Sequence, residues 1–312
     1  MNLRADTRIP APRLRMVPPR DVDPSAADWL QPHVVTTPTA APPVGRLLLF
    51  LSGSFGIPRP RMAFVTQAAR LGLHAINLRY PNRWTVGGRC RRSPDPDAHA
   101  KVRTAIITGE PCTDLVHLLP QDAIVPRLTR LLIWLTSRHP TEGWDRFLQS
   151  GQPRWESIVV AGHSQGGGHA GMMSKLYPMA RAIMLASPAD HVRTLSAPWL
   201  ERPGATPASR LFGFVHAHDP QAAHILAAWE RMGLGASGPV VNVDVEGAAL
   251  HGARRLVTST AVRSACCGVW PPLRANRYHA SVAIALATPA RPDRTPRFTP
   301  VWSYLLTGGT DA

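Results

Sequence analysis

Ile158-Val159-Val160-Ala161-Gly162-His163-Ser164-Gln165-Gly166-Gly167-Gly168 carries more structural information than any other stretch of this chain. A short β-branched run, Ser157 to Ala161, follows polar Arg154 and Glu156 and reads as a strand. Beyond the turn, Met172, Met173 and Leu176 have helical spacing, and Pro178 stops that helix because proline lacks the amide hydrogen a helix needs. Between them lies Gly-x-Ser-x-Gly, the sharp strand-to-helix bend that presents a serine as a nucleophile. Gly162 and Gly166 are expected to clear space for backbone passing beside Ser164, and Gly167 and Gly168 to let the helix lie close to the sheet.

The sequence on either side continues the strand–helix alternation. Arg46 to Leu51 is an apolar run typical of a buried strand, and Gly53-Ser54-Phe55-Gly56-Ile57-Pro58 is its turn. Met62, Val65, Ala69 and Leu73 then recur at helical spacing up to Gly72, and a second strand is predicted over 74–79, closed by Tyr80-Pro81-Asn82. Residues 121–138 place Ile124, Val125, Leu128, Leu131, Leu132 and Leu135 on one helical face. Strands are predicted at 182–186, 211–215, 240–245 and 255–259, with a helix near 221–232. This pattern predicts an α/β fold with a mostly parallel central sheet and helices on both faces. Irregular insertions at 82–120, 189–209 and 262–278 follow strands and are expected to form a partial cap, with Trp84, Trp199 and Trp270 as candidate pocket walls.

The chain has 312 residues, 44 % hydrophobic and 18 % charged, a balance that excludes a disordered protein. No apolar run reaches the roughly 20 residues of a membrane-spanning helix. The expected organisation is a Pro/Arg-rich extended or disordered arm over 1–43 and a single α/β domain over 44–312. The arm lacks the apolar segment of a secretory signal, so the cytoplasm is the default compartment. The formal net charge of +15 raises a nucleic-acid reading, but the arginines are scattered and lysine occurs only at Lys101 and Lys175. No nucleic-acid partner is therefore expected, whereas Arg89, Arg91 and Arg92 are placed to attract anionic surfaces or substrates. Cys90, Cys112, Cys266 and Cys267 form neither a disulfide framework nor a metal spacing; Cys90 and Cys112 are close enough along the chain to pair across one insertion, but reduced thiols are the expectation in a reducing compartment.

A serine hydroxyl needs a base, usually histidine, and the base needs an orienting carboxylate. Asp219 follows the strand 211–215 and is the first candidate acid; Asp190, after the strand 182–186, is the alternate. Asp244 and Glu246 sit in or just after a predicted strand and are less available. His279, ahead of an apolar segment that can anchor it, is the first candidate base and His251 the alternate. His163 is expected to pack behind the turn, and His216 and His218 to build local structure around Asp219. Acyl transfer also requires donors aimed at an oxyanion, for which the backbone N–H of Gln165 and Ser54 are the candidates.

These residues together resemble an α/β-hydrolase, with Gly162-His163-Ser164-Gln165-Gly166 similar to the elbow of esterases and lipases. The likeness is in the order of elements from Arg46 onward. It implies a Ser164–His279–Asp219 triad, an oxyanion hole at Ser54 and Gln165, a small-molecule ester substrate, and neither metal nor cofactor. One departure is that Ser52-Gly53 stands where many members carry His-Gly, and the His-Gly-Gly-Gly form is absent. A carboxylesterase or lipase-like serine hydrolase is the implied activity. A thioesterase, lactonase or acyltransferase with the same triad, or a binding protein on a hydrolase scaffold, are the alternatives.

Overall fold

Nine strands join in one sheet in the computed structural model, which describes residues 12–39, 41–192, 195–245, 247, 250, 252–262, 277–284 and 286–308. In chain order they are β1 (Arg13–Val17), β2 (His33–Thr37), β3 (Leu47–Leu51), β4 (His74–Leu78), β5 (Ile158–His163), β6 (Arg181–Leu185), β7 (Leu211–His216), β8 (Val241–Asn242) and β9 (Arg255–Thr258). Their spatial order is β1-β2-β4-β3-β5-β6-β7-β9-β8. From β4 to β8 every pairing is parallel; β1 with β2 and β2 with β4 are antiparallel. The central strands are apolar along their length because both faces are covered, and β3 is fully buried at all five positions.

The helices used below are α1 (Ala63–Arg70), α2 (Val86–Cys90), α3 (Ala98–Thr108), α4 (Ile124–Arg138), α5 (Gln165–Leu176), α6 (Ala222–Arg231), α7 (Arg277–Ser281) and α8 (Thr299–Thr307). The chain steps from β3 to β4 in one direction and then from β4 back past β3 to β5 in the other. Right-handed crossovers in opposite directions lie on opposite faces, which puts α1 on one side and α3 and α4 on the other. Consistent with this, α8 packs with α1, while α3 packs with α4 and α5. The reversal of strand order leaves a crevice beyond the carboxyl ends of β3 and β5, the usual place for a ligand in such a sheet.

The structure corrects several expectations. Residues 13–17 and 33–37, assigned to the arm, are sheet strands. Glu142 docks them: its carboxylate accepts from Arg13 (2.9 Å), Arg15 (2.5 Å), Thr37 (3.0 Å) and Trp144 Nε1 (3.0 Å). Burial pushes the Glu142 carboxyl up, but those hydrogen bonds outweigh it and hold it at about 2. The insertion 82–120 contains α2 and α3; Arg103 and His99 point inward and break the apolar pattern that would have revealed α3. The strand expected over 240–245 is limited to Val241–Asn242, because Asp244 turns to cap the end of β9 through Thr258, Ser259 and Thr260. Helix α8 was not anticipated, although Val301, Trp302, Leu305 and Leu306 form its buried face. Cys90 and Cys112 are free thiols. Burial pushes Cys90 up to about 12. Cys266, Cys267, His251, Glu246 and Trp270 lie outside the described residues. No described helix is long and apolar enough to cross a membrane.

Candidate active site

Ser164 sits at the carboxyl end of β5 with φ 56° and ψ −122°, a left-handed conformation that a non-glycine residue adopts only where its surroundings enforce it. The enforcement comes from both flanking glycines. A Cβ on Gly162 would lie 2.2 Å from the Gly166 carbonyl carbon, and one on Gly166 would lie 2.0 Å from the Leu51 carbonyl oxygen. Only glycine permits α5 to begin this close to β3 and β5. Gly167 has the same close fit, 2.8 Å from the Gly162 carbonyl oxygen and 2.9 Å from Ser187 Cβ. Gly168 has a different task from helix–sheet packing: its Cβ would meet the Arg103 guanidinium at 2.3 Å.

Asp219 and His279 are brought together. Asp219 follows β7, and His279 is carried by α7, which packs against that strand. His279 Nδ1 and Asp219 Oδ2 are 2.6 Å apart, with side-chain exposures of 12 % and 1 %. The second Asp219 oxygen accepts the backbone N–H of Gln221 at 2.9 Å. The bond engages Nδ1 of the ring and leaves Nε2 outside the pair. His163, the residue before Ser164, donates from Nε2 to the His279 carbonyl at 2.9 Å, and the two rings are 4.9 Å apart. Burial, reinforced by His279, lowers His163 to about 3, so it stays a neutral spacer tying the elbow to α7.

Three neighbours fix α7 that the sequence did not single out for this purpose. The Tyr278 ring lies 4.5 Å from His216 and 5.3 Å from His218, so those two histidines hold α7 as well as the turn around Asp219. His216 Nε2 bonds the Thr260 carbonyl at 2.8 Å, securing it to the strand β9 exit. Trp302 Nε1 donates to the Val282 carbonyl at 2.9 Å, so α8 anchors the segment that follows His279.

The loop after β3 presses directly on the elbow. A Cβ on Gly53 would lie 3.1 Å from Ser164 Cβ and 3.2 Å from the His163 carbonyl oxygen. Ser54 Oγ donates to Gln165 Oε1 at 2.9 Å, and the same oxygen accepts the Val86 N–H at 3.1 Å. The Ser54 hydroxyl is thereby committed to positioning Gln165. Asn82 Nδ2 donates to the carbonyls of Gly53 and Gly56, both at 2.8 Å, and Arg79 bonds Asn82 Oδ1 at 2.6 Å. Tyr80 Oη donates to the Ser52 carbonyl at 2.5 Å. Burial raises the Tyr80 hydroxyl well above its ordinary range, so it remains a donor. In the sequence Tyr80-Pro81-Asn82 read only as a closing turn; nothing periodic marks a buried polar scaffold.

Asp190 is separate from the Asp219–His279 pair. Both its oxygens accept from Arg103 at 2.6 Å, and Trp199 Nε1 adds a bond at 3.0 Å. Burial pushes its carboxyl up, yet the Arg103 guanidinium prevails and holds it at about 2. Arg103 also donates to the Gln165 carbonyl at 3.2 Å, bracing the first turn of α5. Trp199 and Trp84 serve packing: Trp199 lies behind Asp190, and Trp84 meets the Trp29 ring edge-on at 5.6 Å.

A cavity of about 1310 Å³ opens on Ser54, Ser164 and Gln165, bounded by residues of the 82–120 and 189–209 insertions. It exceeds the roughly 300–1,000 Å³ of common small-molecule sites.

No family model matches the chain, and no curated protein is similar to it. Solved structures do match. An esterase/lipase from an uncultured bacterium is 12 % identical over 97 % of this chain and 86 % of that one, with a TM-score of 0.39. A bacterial heroin esterase is 15 % identical over 91 % of this chain and 86 % of that one, also with a TM-score of 0.39. Esterase B of Lactobacillus rhamnosis is 14 % identical over 56 % of this chain, which spans 44 % of that enzyme's length, with a TM-score of 0.31. Such distant likenesses assign no activity. The fold itself is a mostly parallel sheet flanked by helices, with a strained serine between a central strand and the helix that follows.

Proposed function

We propose that the chain is a serine hydrolase that cleaves a carboxylic ester through an acyl-enzyme. The observation that carries this reading is the 2.6 Å bond between Asp219 and His279, tied by His163 to the elbow that displays Ser164. Asp219 fixes the Nδ1–H tautomer, so His279 Nε2 takes the proton as Ser164 Oγ attacks the ester carbonyl. The carbonyl oxygen gathers negative charge and accepts from the Gln165 and Ser54 backbone N–H groups, which cost no reorganisation because the elbow and the Asn82 scaffold already hold them. His279 then returns the proton to the departing alcohol, leaving Ser164 acylated. Water, deprotonated by the same histidine, attacks the acyl carbonyl, and as the acyl–Oγ bond breaks His279 gives the proton to Ser164 Oγ, releasing the carboxylic acid and restoring the enzyme.

Stopped-flow turnover of a p-nitrophenyl ester tests this reading. A burst of p-nitrophenolate stoichiometric with enzyme, lost in Ser164→Ala, is the expected result. Turnover retained by that variant contradicts it. Parallel assays with a thioester, a lactone and an added alcohol acceptor sort hydrolase from acyltransferase chemistry on the same residues.

A further inference from the structure

Arg91 and Arg92 both line the cavity that holds Ser164, and both are solvent-accessible at its margin. Neither side chain makes an ion pair or hydrogen bond with any described residue. The two carboxylates that share the cavity wall are already satisfied: Asp190 by Arg103 at 2.6 Å and Asp95 by Lys101 at 2.8 Å. Arg89, the third arginine of this cluster, stacks over Trp84 at 5.4 Å and lies outside the cavity wall. The cavity therefore presents two uncompensated guanidinium groups.

We propose that the cavity selects esters bearing a second, anionic group, a carboxylate or a phosphate remote from the scissile bond, held by Arg91 and Arg92. This rests on the reading of Ser164 as the nucleophile. Guanidinium groups match the planar, two-oxygen face of such anions. A concave wall concentrates their field on an incoming anion. The volume of about 1310 Å³ leaves room for a substrate that reaches from Ser164 to the rim.

The test compares matched esters on wild type, Arg91→Gln, Arg92→Gln, the double variant and a charge-matched control, Arg154→Gln. One arm sets p-nitrophenyl hemiadipate against p-nitrophenyl valerate, placing the carboxylate on the acyl side. The other sets 4-acetoxybenzoate against 4-acetoxybenzamide, placing it on the alcohol side. In at least one arm, kcat/KM for the anionic ester should exceed that for its neutral partner by roughly ten-fold, a preference that falls to near unity in the double variant and persists in Arg154→Gln. It should also weaken as salt rises. Ratios near one in both arms, or a preference that survives the double substitution, overturn the proposal. If no ester is turned over, the nucleophile reading has failed separately. Calorimetric titration with adipate then judges the arginines alone: about ten-fold weaker binding to the double variant supports them, and equal binding or none refutes them.

Discussion

Asp190 and Asp219 each follow a strand of the same sheet, and each is almost wholly buried, at 6 % and 5 % exposure. Their partners separate them. Asp219 is bonded to an imidazole, His279; Asp190 accepts twice from the guanidinium of Arg103. In the proposed mechanism the first pair serves proton transfer at Ser164, whereas the second holds the insertion carrying α3 against the start of α5. Strand-end position and burial thus mark carboxylates that hold something important. The chemistry of the partner decides whether that is a base or a framework.

Substitution should pull these two roles apart. Asp219→Asn loses the tautomer control on His279, and kcat for a p-nitrophenyl ester should fall by roughly three to four orders of magnitude with little change in unfolding midpoint. Asp190→Asn leaves Arg103 charged and buried without its partner. Urea unfolding should show a loss of about 3–5 kcal/mol, while the folded fraction keeps kcat within about ten-fold. A reversal of these two outcomes would exchange the roles assigned to the aspartates. Gly168→Ala pushes a methyl group into the Arg103 guanidinium and should cost about 1–3 kcal/mol in the same titration. Suppression of that cost by Arg103→Lys would locate it in the Asp190 framework.

Acid should separate the regions more gently. His163, beside His279, is held neutral with its folded value lowered to about 3, so its contribution is complete above the ordinary histidine value of 6.5 and is lost as pH falls toward about 3. His33, buried near Arg127 and Arg79, is lowered to about 3 and behaves alike. Asp190 is lowered from 3.8 to about 2, so its contribution survives mild acid and disappears only between those values. Denaturation midpoints measured against pH should decline first below about 6.5 and again below about 4. A flat profile between 6.5 and 4 would show that the histidines do not remain neutral in the fold.

The elbow was legible in the sequence because its geometry tolerates so few residue types: Gly162 and Gly166 occupy places where a Cβ would strike backbone. The central strands were legible for the opposite reason, since burial on both faces produces uninterrupted apolar runs such as Leu47–Leu51. Polar burial concealed the rest. Helix α3 turns Arg103 inward, so its pattern looked irregular. The strands β1 and β2 were obscured by proline-rich flanks, and β1 is docked by Arg13 and Arg15 on Glu142, a residue more than a hundred positions away. The contacts of Asn82, Tyr80 and Tyr278 are likewise made across the fold, and no local spacing announces them.

Labelling by a fluorophosphonate, with the modified residue mapped by peptide mass spectrometry, tests the central claim most directly when wild type, Asp219→Asn and Asp190→Asn are run side by side. The adduct should map to Ser164, form at least about a hundred-fold more slowly in Asp219→Asn, and form in folded Asp190→Asn at close to the wild-type rate. An adduct on another residue, or a folded Asp190→Asn protein slower to label than Asp219→Asn, would contradict it.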